Sequence, residues 1–499
     1  MVKLDKSRFI FLVVSLFTIS FLYIPSLTIW ALGDDFSTIL VGIIDPSDRW
    51  EIFSSSGFAF RPIERLVNAI DVTINGYSST TITHMISLIG FSFSALLVFL
   101  ITSYFYAEIP LIAFICTMLF IVSPNNVTSI TQIDTISQQY ATVFILFSFW
   151  WLLTQNNINQ ILYYVVLGIS IFFALISKEN PIGIIFVLPL VSEIIKNSGT
   201  KMEHKLFGKK MIITYGVIFS IFLIYIFLRF SFGLKFAGSN QYQVGLSLIS
   251  WIKNSVLLLG SIIYAGSSLE IFPELQFSKV IISCVFIICL MWSIIPYLKN
   301  LFHLIIPLSP LKICISKELS IYIGLIALIF SGLFPVILIG KMSELYTYLM
   351  TPFYCMFLGI IFYNSLHYLK NKNPSYLHYM RWVSMICLIL WLGYGTKDKI
   401  AQLVNTDKKT KQYFSLVSSL AENHEKNEIL ILLSKTVSTG IDDNYNVFHF
   451  SDLSILKSFS PLILKLHNKN VRYMQEQSDS ISCDYILQKE LNILKVSRL

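Results

Sequence analysis

The chain has 499 residues, of which 55% are hydrophobic and only 13% charged, and its mean hydropathy is +0.68. Soluble proteins of ordinary composition carry about 25% charged residues, so this composition excludes a wholly water-exposed globular protein and points to extensive contact with lipid. The net charge of +8 lies largely in loop Lys and Arg that follow membrane topology, which gives no argument for nucleic acid as a partner.

In chain order, apolar runs at 9–30, 86–106, 110–123, 136–154, 160–177, 182–195, 211–230, 279–298, 319–339, 350–367 and 381–396 predict eleven membrane spans. Most reach the roughly 17–25 residues needed to cross a hydrocarbon core. The two shortest, 110–123 and 182–195, are required by the directions of their neighbours. The first run follows Lys3, Lys6 and Arg8 but has no small-x-small cleavage site, so it reads as a retained signal anchor. The run "LLLGSIIYAGSSLEIF" at 257–272 lies between segments whose flanking charges already fix their directions. It is expected to be re-entrant or interfacial, a backbone arrangement tolerated at membrane depth where protein or a wet cavity surrounds it.

Basic residues set the orientation. Lys196, Lys209, Lys210, Lys299, Lys312, Lys317 and Arg381 are among those in loops on one side, and the longer opposite face carries fewer before the tail. By the positive-inside rule the N-terminus is cytoplasmic and the C-terminus lies outside. The expected architecture is therefore mainly α and polytopic: a transmembrane module at 1–396 with a long outer loop at 31–85, followed by a small extracytoplasmic α/β domain at 397–499. That outer loop carries seven acidic residues against three Arg. In the tail, "KKTKQYFSLVSSLAEN" has helical spacing, and "EILILLS" and "CDYILQ" read as short strands. The seven Cys are scattered, with only Cys483 in the tail, so neither a disulfide framework nor a CxxC metal pair is present. No cofactor and no metal ligand set is expected; a divalent cation is compatible with the sequence but not indicated by it.

The residues able to carry chemistry collect on the outer face. Asp34 and Asp35 open the first outer loop, Arg61 and Arg65 follow in "FAFRPIERL", and His84 closes it. Asp134 ends "SPNNVTSITQID", Lys178 and Glu179 lie in "ALISKENPIG", and Glu344, Tyr346 and Tyr348 lie in "GKMSELYTYLMTP". Taken singly, each has an ordinary reading as solvated loop charge, helix terminator or interfacial aromatic belt. Together they place both charge signs at one face, where ionisable residues near membrane depth are a functional hypothesis by default. Arg and Lys suit an anionic group, a carboxylate beside a hydroxyl can act as general base, and apolar helix walls can hold a lipid tail. The combination describes group transfer from a lipid phosphate to a hydrophilic acceptor outside the membrane.

The ordered set Asp34-Asp35, "FRPIERLVNAIDVTINGYSSTTITHMISLIG", "SPNNVTSITQID", "LISKEN" and "SELYTYLMTPF" resembles membrane glycosyltransferases of the GT-C fold, in the branch with protein O-mannosyltransferases and related bacterial enzymes. The resemblance covers about 30–350. It implies a polyprenyl-phosphate sugar as donor, a polysaccharide or glycolipid acceptor, and chemistry on the extracytoplasmic face of a bacterial inner membrane. On that resemblance Asp34 or Asp35 is the catalytic carboxylate and Arg61 and Lys178 bind donor phosphate. Glu179, Glu344, His84, Asp134 and Tyr346 then orient groups or bind the acceptor. Leu345 stands where the family pattern has a basic residue, and a second histidine after His84 is absent. Size and tail are similar to bacterial Gtr-type O-antigen glucosyltransferases, which implies glucose as the sugar. Transfer to protein or to lipid A is the alternative acceptor. A transporter or flippase of a lipid-linked saccharide is the alternative class, although it would favour helix breaks and charges at mid-membrane, whereas these clusters sit at span ends.

Overall fold

Helix α1, Lys6–Tyr23, starts where the Asp5 side chain accepts the Arg8 backbone N–H at 2.8 Å, the usual means of satisfying a helix's unpaired first N–H groups. A 3₁₀ turn, Ile24–Thr28, carries the chain out of it. The computed structural model describes residues 5–32, 35–42, 60–155, 158–198, 208–232, 248–249, 251–252, 255, 258, 316–337, 344–372, 376–425, 427–433, 452–475, 485–490 and 493–498. Asp34, most of the 257–272 segment and the span expected at 279–298 lie outside the described residues.

The helices that follow are α2 (Asp35–Gly42), α3 (Pro62–Asn75), α4 (Thr81–Phe105), α5 (Pro110–Ile121), α6 (Asn126–Thr131), α7 (Ile136–Thr154) and α8 (Gln160–Ser177). Next come α9 (Ile182–Ile185), α10 (Leu188–Lys196), α11 (Lys209–Ser231), α12 (Lys317–Ile337), α13 (Thr351–Lys372) and α14 (Tyr376–Asn423). Among the described residues, six helical stretches are long and apolar enough to cross a membrane: Lys6–Thr28, Thr81–Phe105, Ile133–Thr154, Gln160–Ser177, Lys209–Ser231 and Lys317–Ile337. Each coincides with an expected span. Their outward faces are apolar, with Phe17 and Phe227 each 70% exposed, a surface that suits lipid and not water. The 182–195 run is broken: Pro189 follows the first residue of α10, where a ring without an N–H costs least, so α9 and α10 form two pieces. A Cβ at Gly183 would collide with the Ser331 carbonyl oxygen, so that residue lets α9 approach α12 closely.

Helix α3 is inside out. Leu66, Ile70 and Ile74 are exposed at 45%, 41% and 66%, four residues apart and hence on one face. Arg65, Asn68 and Asp71 are buried on the other. An apolar outer stripe with a polar inner face is the pattern of a helix lying along a membrane interface. Gly76, at φ 66°, ends this helix in a conformation that side chains disfavour. Asp71 then caps α4 by accepting the Thr83 N–H at 2.7 Å.

The change of composition near 397 falls within α14, a single helix of 48 residues. Its apolar first half and charged second half share one hydrogen-bonded ladder, because Lys and Gln at exposed positions such as Lys408, Lys409 and Gln412 tolerate helix well enough to continue it. The tail then adds β1 (Glu428–Leu433), α15 (Asp452–His467), β2 (Asn470–Gln475), β3 (Tyr485–Glu490) and β4 (Ile493–Arg498). The sheet order is β2-β1-β3-β4, with β1 parallel to β2 and β3 and with β4 antiparallel at the edge. The stretches read as strands fall on β1 and β3, and the helical stretch on α14. Two apolar cores result. The larger lies within the helical bundle. The smaller joins Trp30, Phe36, Ile39 and Ile133 to Tyr413, Val417 and Ala421 of α14, Ile429 and Ile431 of β1, and Leu456, Phe459 and Leu462 of α15.

Candidate active site

The clusters at the span ends meet through three connections. Asp35, the first residue of α2, is fully buried. Its Oδ2 accepts the Leu32 N–H at 2.9 Å, and its Oδ1 accepts the N–H groups of Ile133 and Asp134 at 2.9 and 3.2 Å. Asp35 therefore ties the start of the loop that follows the first span to the turn before α7 and brings Asp134 alongside. Burial pushes the Asp35 carboxyl up and the neighbouring Asp134 carboxylate pushes it further, against the three N–H groups that favour its charged form.

The second connection is an ion-pair cluster. Arg61 sits just before α3, where Pro62 sets its first turn, and α8 ends at Lys178. The Arg61 guanidinium lies 3.1 Å from Glu179 and 3.8 Å from Glu64. The side chains keep 20% exposure at Arg61, 13% at Glu64 and 28% at Glu179, so the cluster is not sealed from its surroundings. Burial pulls the Arg61 guanidinium down, but Glu179 and Glu64 outweigh it and keep it charged. Burial raises Glu64. It would raise Glu179 too, but Arg61 and Lys178 hold that carboxyl at about 2.

Lys178 differs from Arg61. It is 5% exposed, and its Nζ makes no ion pair or hydrogen bond among the described residues. Burial and the Arg61 charge push it down to about 7, against the pull of Glu179, Glu64 and Asp134. The third connection is Asp134, whose charge is felt by Asp35, Arg61 and Lys178 alike. It couples the pinned carboxylate to the ion-pair cluster.

The last turn of α11 closes the far side. Arg229 donates to the Tyr225 hydroxyl at 3.1 Å, and Phe60 stacks on Phe232 at 5.8 Å, which docks the residue before Arg61 onto that helix end. Glu64, Tyr225 and Arg229 were not singled out from the sequence. Glu64 was legible as an i,i+3 partner of Arg61, and Arg229 as a cation in the last turn of a span, where the helix dipole favours it.

Two expected site residues lie elsewhere. His84 is buried near Asp71 and the backbone of Ile29 and Ile130, not among the charges of the ion-pair cluster. Neither ring nitrogen makes a hydrogen bond among the described residues. Tyr346 packs partly buried against the larger core, in the Glu344–Thr347 turn. That turn is tied to the 123–131 segment, where the Asn125 side chain lies 3.2 Å from the Thr347 hydroxyl. The Glu344 side chain lies outside the described residues.

No protein-family model matches the chain, and no curated protein matches it. Among solved structures, the chain is similar to ArnT from Cupriavidus metallidurans bound to undecaprenyl phosphate, at 10% identity and a TM-score of 0.48, over 94% of this chain and 86% of that one. It is similar to the same protein in the apo state at 9% identity and a TM-score of 0.48, over 93% and 84%. It is also similar to an Archaeoglobus fulgidus oligosaccharyltransferase in complex with Zn and sulfate, at 14% identity and a TM-score of 0.45, over 92% and 62%. At such values the functional reading rests on this chain's own residues.

Those residues bring carboxylates together with a lysine without an ion-pair partner among the described residues. Such a grouping can hold a monoanionic phosphodiester against Lys178. In the Arg61–Glu64–Glu179 network the one guanidinium is taken up by two carboxylates, so the network is suited to orient the lysine's neighbours more than to grip a ligand.

Proposed function

We propose that this chain is an integral-membrane glycosyltransferase with a GT-C-like architecture. It moves a sugar, glucose in the most specific form of the proposal, from a polyprenyl-phosphate donor to an extracytoplasmic acceptor. The acceptor is O-antigen or another part of lipopolysaccharide, and the membrane is a bacterial inner membrane with the N-terminus cytoplasmic. The observation that carries the reading is the convergence of Asp35, Asp134, Arg61, Glu64, Lys178 and Glu179 from four separate stretches of chain at span ends.

The acceptor hydroxyl oxygen attacks the anomeric carbon, and the bond from that carbon to the phosphate oxygen breaks. The hydroxyl proton passes to a carboxylate, and the electron pair stays on the departing polyprenyl phosphate, whose growing charge lies beside Lys178. Both Asp35 oxygens are committed to backbone N–H groups, so we assign the base role to its neighbour Asp34. Asp35 then holds the turn. The decisive experiment incubates the purified protein with polyprenyl-phosphate glucose and lipopolysaccharide, alongside lipopolysaccharide analysis with and without the gene. Glucose-dependent labelling is expected; an unspent donor together with unchanged lipopolysaccharide would sink the reading.

The tail at 397–499 is proposed to lie outside the membrane as a platform for an acceptor too large to enter the site. Because Phe36 and the tail residues share one core, Asp35 and the tail are on the same side. Alkaline phosphatase fused after Leu499 is expected to be active and green fluorescent protein dark. The reverse pattern would place the site in the cytoplasm and end the proposal of extracytoplasmic transfer.

A further inference from the structure

The two loops that bring the carboxylates together are held from several sides. The first runs from Thr28 to Asp35, and the second from Val122 to Asp134. The Thr80 hydroxyl donates to the Ile29 and Trp30 carbonyls and the Trp30 indole to the Tyr77 carbonyl. Ser87 and Gln139 donate to the Ile130 and Ser129 carbonyls, and one helix, α14, carries four further polar anchors that join both loops to a single element. The Thr396 hydroxyl donates to the Val122 carbonyl at 2.8 Å, and the Lys399 ammonium to the Pro124 carbonyl at 3.3 Å. Two turns further on, Asp407 Oδ1 accepts the Trp30 N–H at 2.8 Å, and Lys411 Nζ donates to the Thr28 carbonyl at 2.8 Å. Lys411 and Asp407 are themselves paired at 2.8 Å.

The spacing is that of one face. Positions 396, 399, 403, 407 and 411 recur every three or four residues, with Leu403 fully buried between the two polar pairs. Lys399 and Asp407 are 3% and 2% exposed, which is expensive for charged groups unless they are bonded. Aromatic packing repeats the connection on the tail side. Trp30 packs edge-on to Phe36 and to Phe414 at 5.2 and 4.8 Å, and Phe459 of α15 closes the group against Phe36 and Phe414 at 5.8 and 5.5 Å.

We propose that α14 is a splint that sets the relative position of the two acidic loops, with Asp407 as its principal positioning residue. The tail's role then extends to the reacting carboxylates, and is not confined to meeting the acceptor. Asp407 touches neither donor nor acceptor. It fixes the Trp30 backbone, Trp30 fixes Phe36, and Phe36 follows Asp35 in the chain. A displacement of about 1 Å in a catalytic group can cost on the order of 10²-fold in rate. The consequence for turnover rests on the glycosyltransferase reading; the consequence for the loops does not.

Two variants of the full-length protein separate a splint from a mere stabilising contact. Asp407→Asn keeps an oxygen acceptor for the Trp30 N–H and loses only the Lys411 ion pair; Asp407→Ala loses both. Amide hydrogen exchange over 28–36 is expected to accelerate about tenfold or more in Asp407→Ala and little in Asp407→Asn, with the α4 and α7 spans unchanged. With polyprenyl-phosphate glucose as the probe, Asp407→Ala is expected to lose about 10- to 100-fold in kcat with the donor KM unmoved, and Asp407→Asn to recover most of it. Unchanged exchange over 28–36 in Asp407→Ala overturns the splint. Faster exchange with an unchanged kcat overturns the positioning role. If the wild type transfers no sugar, the functional reading falls, and the exchange comparison alone still decides whether α14 holds the loop.

Discussion

Asparagine at Asp34 is expected to leave a folded, inserted protein that transfers sugar about 10²–10⁴-fold more slowly, the usual cost of losing a general base. Asparagine at Asp35 is expected to fail differently. Asp35 uses both oxygens as acceptors, one for Leu32 and one shared by Ile133 and Asp134. An amide cannot copy that pattern, because its NH₂ must face a backbone N–H whichever way it is turned. A buried donor left against a donor costs about 1–3 kcal/mol, so Asp35→Asn should melt earlier in detergent and lose activity through displacement of the turn. The pair of variants therefore separates chemistry from scaffolding by thermal unfolding and kcat measured together. A stable but inactive Asp35→Asn beside an active Asp34→Asn would reverse the two roles and return the reacting carboxylate to Asp35.

Much of this was open to reading in the sequence, for definite reasons. Long apolar runs fix spans because lipid leaves the backbone no partner but itself, and the described helices fall where hydropathy places them. Lys178–Glu179 and Asp134 stood out as charges at span ends. What stayed hidden was pairing. Nothing local to Arg61 tells that Glu179, far along the chain, takes up its charge while Lys178 has no ion pair among the described residues, so the sequence treats the two cations as equals. His84 drew notice as a lone histidine at a span mouth, yet it packs near Asp71. The change in composition at 397 marks where the surroundings of α14 become polar, and a helix can cross such a boundary without ending. Asp407 and Lys411 look like ordinary tail charges because their partners, Trp30 and Thr28, lie at the other end of the chain.

Lys178 gives the remaining large effect, and its sign can be worked out. The free ammonium is held at about 7, well below the ordinary lysine value of about 10.4. A bound phosphodiester carries one negative charge beside it and favours the protonated lysine, so the donor takes up a proton as it binds at any pH above 7. Donor affinity is therefore expected to be flat below pH 7 and to fall by up to about tenfold per pH unit above it, until the pH reaches the lysine's value in the complex. Stability should run the other way. Between about 7 and 10.4 the unfolded chain holds a proton on this lysine that the folded chain has released, so resistance to unfolding rises with pH across that window. Lys178→Arg stays charged throughout and should bind the donor with no pH dependence from this position, whereas Lys178→Met should bind weakly at every pH. Titrating donor binding from pH 6 to 9 in the three proteins tests the assignment. A wild-type profile that matches Lys178→Arg would mean that the lysine is charged throughout or does not meet the phosphate. A Lys178→Met variant with full affinity would move the phosphate to Arg61 or Arg229.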